Sequence, residues 1–255
     1  MRGLLGVRIC ACLLVSVTIL TAVAACTDGS GEPPDATRSS GPAADELASR
    51  IDLEGTALVP LHWRDPGGGV TDPEVARALL AARRYLALVN TWWWHPHPRD
   101  LIPLLPTVAY GNLLNADESS LRGEIERQVE ARPSNLPERL APLWLWVQQV
   151  RQETPTRVRV EVCVDDYWYE ANFMTYTKPR NQFRGNMNTV WVEQVPDHGT
   201  RYWKVIHNYY DGNRPPATDE TPPDPALRER CDAWTRGHTE LPAKVPQDLF
   251  ITRTP

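Results

Sequence analysis

The sequence contains no block of lysine and arginine. Its 27 basic residues are scattered among 32 acidic ones over 255 positions, giving a formal net charge of −5. Without a basic stripe there is no electrostatic footprint for nucleic acid or for an anionic lipid surface, and neither is expected as a partner held by charge. Metal-ligand spacing is missing as well. No H-x-x-x-H or C-x-x-C occurs, and His62, His198, His207 and His238 are far apart. His95 and His97 each precede a proline, so both are extended and their rings share one side, but two imidazoles are too few for a metal ion. No metal and no cofactor is expected. There is no internal repeat. Phenylalanine is scarce, with three residues, yet 42% hydrophobic content still supports one core of ordinary size, and hence one domain.

Nor is there an apolar run long enough for a comfortable membrane span. The nearest is Ile9 to Ala22, behind Arg2 and Arg8 and ahead of Val23-Ala24-Ala25-Cys26. Basic start, short apolar stretch and small residues are the parts of a secretory signal peptide. The pattern resembles a bacterial lipobox, closest to the small secreted lipoproteins of high-GC Gram-positive bacteria. That implies cleavage after residue 25, with Cys26 as the first mature residue carrying a diacylglyceryl group with palmitate-type chains. The expected location is extracytoplasmic, on the outer face of the cell membrane, anchored by lipid. Losing the signal takes Arg2 and Arg8 and no acid, leaving 25 basic against 32 acidic residues, a formal −7. Cys10 and Cys12 leave with it and Cys26 is taken by lipid. Cys163 and Cys231 remain, and in an oxidising compartment they are expected to form a disulfide.

What is present falls into stretches. Residues 26–70 are rich in Ser, Gly, Pro and charge and read as a flexible tether that meets the domain around ALVPLHW. At Thr71 the pattern changes. T-D-P-E opens a helix, with Thr71 or Asp72 as cap, and Val75, Leu79, Ala82, Leu86, Val89 and Trp93 recur along one side. Pro96 should stop that helix near Trp94, so Trp92, Trp93 and Trp94 cannot all be buried by one face. Trp93 continues the seam; Trp92 and Trp94 flank it and are candidates for an aromatic lip. Asp117 to Ala131 reads as a second helix. The later half alternates: Leu143, Leu145 and Val147 against Trp144, Trp146 and Gln148, then Val158, Val160, Val162 and Val164 against Arg157, Arg159, Glu161 and Cys163. NTVWVEQV and TRYWKVIHNYY follow, joined by a turn at Pro196 to Gly199.

Helices followed by an antiparallel meander make an α+β domain. The order of elements and the final RYWKVIHNYYD resemble the nuclear transport factor 2-like superfamily, with its SnoaL-like cyclases and ketosteroid isomerases, over roughly 71–211. The resemblance implies a long N-terminal helix and short helices packed on a curved antiparallel sheet, shaped as a cone. Residues 212–255 are then a Pro-rich C-terminal extension. In it Leu227, Cys231 and Trp234 fall on one helical stripe, able to dock on the sheet's outer face through the disulfide.

No motif fixes a catalytic constellation. Tyr85 on the first helix, Asp165 beside Asp166, and His207 are the candidates for acid–base chemistry; Trp92, Trp94, Trp203, His207 and Tyr209 are those for ligand contact, with His207 expected on one strand face with Trp203, Val205 and Tyr209. The reading is a non-catalytic, lipid-anchored domain that binds a small apolar ligand or an envelope protein through its cone or rim. An isomerase- or cyclase-like enzyme in the cone and a polysaccharide binder using exposed tryptophan are the alternatives.

The anchor rests on one residue, so Cys26→Ala is expected to remain unacylated and to leave the membrane fraction. Intact-mass measurement with membrane fractionation checks it: a wild-type chain with no lipid mass shift, and a variant that partitions as the wild type does, contradict the lipobox.

Overall fold

Asp72 caps the helix that begins the domain's packing. Its carboxylate accepts from the backbone N–H groups of Glu74 (2.7 Å) and Val75 (3.1 Å), and Pro73 occupies the first turn. The helix, α2, runs Pro73–Thr91 and buries Val75, Ala78, Leu79, Ala82, Leu86 and their neighbours. Near its end the side chains of Asn90 and Thr91 bond back to the carbonyls of Leu86 and Ala87. In this computed structural model the described residues are 44–56, 59–92, 95, 97–131, 142–167, 182–197, 199–211 and 223–238. Cys26, Trp93 and Trp94 lie outside them.

Around α2 the chain runs through a short helix α1 (Ala44–Ala48), strand β1 (Leu61–Arg64), a 3-10 turn (Pro98–Leu104), α3 (Leu105–Val108) and α4 (Gly111–Ala131). Strands β2 (Leu143–Thr154), β3 (Arg157–Asp165), β4 (Asn186–Asp197) and β5 (Thr200–Tyr210) then form a meander, and α5 (Pro225–Gly237) closes the described chain. The sheet order is β1-β2-β3-β4-β5, curled into a half-barrel. Neighbours from β2 to β5 are antiparallel. At the β4–β5 turn Gly199 adopts φ +83°, a conformation that side chains rarely tolerate.

Three expectations need correction. The sheet is mixed, because β1 pairs with β2 in parallel, Leu61 opposite Leu143 through Arg64 opposite Trp146. And the stretch read as tether enters the domain early. Ile51, Val59 and Leu61 are core residues, and β1 is the sheet's edge strand. Composition misleads here because a few apolar residues among Gly, Pro and charge are enough to seat an edge. The second helix likewise starts at Gly111, six residues before the Asp117 expected from its acids.

The period-two pattern of β3 divides the molecule. Val158, Val160, Val162 and Val164 join the main core under α2 with Leu145, Val147, Val190, Val192 and Val205. Cys163 faces the other way, into a second cluster with Met187, Leu227 and Cys231 that Trp146 and Trp234 flank. α5 covers that outer face. The Cys163–Cys231 disulfide ties it down, with Cα atoms 5.4 Å apart and both residues fully buried. Gln148 donates to the Leu227 carbonyl at 3.1 Å, so the backbone of α5 is also held to β2. Gly185 makes the close approach possible: a Cβ there would lie 2.5 Å from Thr235 Cγ2 and 2.8 Å from Cys231 Sγ.

The bond closes a loop of 68 residues. The chain-entropy relation gives such a loop about 4 kcal/mol. Cys163→Ala with Cys231→Ala is therefore expected to lower the urea midpoint by a corresponding amount and to expose the tail to protease. A midpoint shift worth under about 1 kcal/mol contradicts the assignment of α5 as a covalently held cover.

Candidate functional site

A groove of about 660 Å³ opens where the first half of α2 meets the β4–β5 hairpin, with α1 and α3 along its margin. Its volume is in the range of small-molecule sites. Leu80, Ala81 and Val108 give it apolar surface, Trp203 and Tyr202 line the hairpin side, and Arg77, Arg84 and Arg201 also reach it. Gln194 and Trp203 are directly opposed on β4 and β5, so their side chains emerge on the same face. Both donate to one oxygen of Glu74, Trp203 Nε1 at 3.1 Å and Gln194 Nε2 at 3.3 Å, while Arg77 takes the other oxygen at 2.7 Å. Glu74 thereby fixes the indole edge and joins the helix to the hairpin. Among the described residues neither Arg84 nor Arg201 makes an ion pair.

A second polar group lies deeper. Tyr85, 2% exposed on α2, lies close enough to Asp117 of α4 and Asn208 of β5 for both to act on its phenol. Burial, then the Asp117 charge, raises the tyrosine well above its usual pKa, whereas Asn208 opposes the rise. Desolvation pushes Asp117 up to about 6, with Tyr85 acting against it. One oxygen of Asp117 and the amide oxygen of Asn208 are buried without a hydrogen-bond partner among the described residues. Such a cluster can share a proton, but its members line neither the groove above nor the second one, of about 530 Å³, near His95 and Asp100.

The remaining candidates are not brought together. Asp165 lies on the outer side, fully buried, 2.6 Å from Nδ1 of His238. That histidine stacks on Trp234 and meets Trp144 edge-on, and Trp144 in turn stacks on His62. Asp166 accepts from Asn186 at 2.6 Å. The expectation that His207 shares a face with Trp203 and Val205 is overturned by a bulge: Trp191 pairs with His207 but the next residue, Val192, pairs with Val205, leaving Ile206 extra. Trp203 and Val205 pack with the core, while His207 packs on Trp191 (5.0 Å between centroids) across from Arg159, and Tyr209 is buried opposite Thr189. Trp92 is 7% exposed with its N–H buried and unpartnered among the described residues, so it forms no lip.

Of the ligand candidates among the described residues, Trp203 alone is on the groove. Sequence reasoning missed Glu74, Arg84, Arg201 and Tyr202 there, and Asp117 and Asn208 inside. Glu74 carried a signal as an acid in the first turn of its helix, but only of a helix start. No protein-family model matches the chain, and no curated protein or solved structure matches it.

Because Asp117 keeps its proton in the folded state to about pH 6, whereas an unfolded carboxyl loses it near 4, its stabilising contribution is full below about pH 4 and is lost as pH rises through 6. Partial exposure limits the effect to about 1 kcal/mol. Asp117→Asn is expected to remove that decline, so that the variant gains on the wild type between pH 4 and 7 in urea melts. A constant difference across the range contradicts the raised carboxyl.

Proposed function

We propose that this protein is a lipid-anchored extracytoplasmic domain that binds a small ligand in the groove between α2 and the β4–β5 hairpin, without catalysing a reaction. The carrying observation is the groove's construction: apolar surface from Leu80, Ala81 and Val108 beside an indole, Trp203, that Glu74 holds in place. A pocket whose aromatic wall is fixed before binding loses little entropy when occupied. The anchor reading is supported by the signal-like start and Val23-Ala24-Ala25-Cys26, and by a buried disulfide of the kind exported domains use. A nuclear transport factor 2-like fold is supported by the helix-then-meander order and the curled sheet around α2.

Acid–base chemistry in the cone has one observation in its favour, the Tyr85–Asp117–Asn208 cluster. The binding reading is preferred because those groups line neither groove, whereas catalysis needs the base within reach of substrate. Polysaccharide binding loses support from the burial of Trp92.

The neutral fluorescent probe N-phenyl-1-naphthylamine tests the groove. One molecule per chain is expected to bind saturably, and Leu80→Trp, which fills the groove from a half-buried position, is expected to weaken it at least tenfold while leaving the melting temperature within a few degrees. Unsaturable binding by the wild type, or unchanged affinity in a folded Leu80→Trp protein, contradicts this use of the groove.

A further inference from the structure

We infer that the groove selects an amphipathic anion, a carboxylate carried on an apolar body, and that Arg84 and Arg201 grip the carboxylate. This rests on the groove being the binding site and adds the class of ligand it takes.

The charges around the groove are unequal in their commitments. Glu74 already accepts from three donors, Arg77, Gln194 and Trp203, and Arg77 is held by it. Lys204 and Arg159, cations elsewhere on β5 and β3, are likewise paired, with Asp197 and Glu161. Arg84, half-buried on α2, and Arg201, exposed at the hairpin, line the same groove from opposite sides and have no carboxylate among the described residues. Asp45 is the other acid on the groove, and it is exposed at the margin on α1. Two guanidinium groups without a carboxylate partner on one groove give it a local positive surplus, and charge complementarity assigns the partner to the ligand.

Guanidinium offers paired N–H donors that match a carboxylate, and a partly buried Arg84 is less screened than a surface cation. The apolar part of the ligand then lies toward Leu80, Ala81 and Val108, against Trp203. A neutral molecule of the same shape gains the second contact without the first. A cation meets repulsion.

Octanoate, octanol and octylammonium, of one chain length and three charges, separate these cases by displacement of N-phenyl-1-naphthylamine from the full mature chain. Octanoate is expected to displace the probe at concentrations at least tenfold below octanol, with octylammonium weakest, and the gap is expected to narrow as salt rises. Arg84→Gln with Arg201→Gln is expected to keep probe and octanol binding and to bring octanoate to the level of octanol. Circular dichroism and the retained octanol affinity report that the variant is folded. Equal displacement by octanoate and octanol in the wild type, or an octanoate preference that survives in the double variant, overturns the anion assignment and leaves the groove as a binding site. Failure of all three to displace a bound probe overturns both.

Discussion

Everything in this fold depends on a central strand that needs cover on both faces. β3 pairs with β2 on one side and β4 on the other, and from Val160 to Asp165 each of its residues is buried. The valines on one face are satisfied by α2, while the opposite face presents Cys163 and, beside it, the Glu161 carboxylate. Glu161 is raised above the usual carboxylate range by burial and is kept tolerable by Arg159 and Thr189, at 2.5 and 2.6 Å. A helix alone, carrying Leu227 and Trp234, would make a small second core. The disulfide makes it a permanent one; Arg184 adds an ion pair to Asp232 of that helix at 3.1 Å, and Arg228 of the helix pairs with Asp211.

The covered outer face leaves the inner one to form the site. α2 packs against β5, β4 and β3, and its first turn is joined to the β4–β5 hairpin through Glu74. The space between is not filled by apolar side chains. It is bounded by Glu74, whose carboxylate gathers donors from both elements, so the wall that faces a ligand is held by the same interaction that joins helix to sheet. The groove wall and the architecture share a residue there, which gives the groove a defined shape.

How much of this was legible in sequence follows from the range of each interaction. The helix start at Asp72, the unbroken alternation of β3 and the stripe of Leu227, Cys231 and Trp234 are local patterns, and the pairing of Cys163 with Cys231 followed once the other cysteines were assigned elsewhere. The groove is not local. Its defining contacts join residues 120 and 129 positions apart, and nothing near Glu74 or near Trp203 announces the other. The reversal at Ile206 was hidden for a different reason: TRYWKVIHNYY alternates plausibly in either register, and only pairing with β4 shows that one residue is extra. β1 was hidden by composition, since four residues paired along an edge need little apolar content.

On the proposed reading the protein holds a ligand between α2 and the β4–β5 hairpin. A high-resolution structure of the protein purified from its own membrane, without added ligand, tests this most directly. Organic density is expected in the groove, its apolar part against Trp203 and its polar end toward Arg84 and Arg201. Water alone in a groove of the present shape, with an organic molecule bound instead near the Tyr85–Asp117–Asn208 cluster, would contradict it.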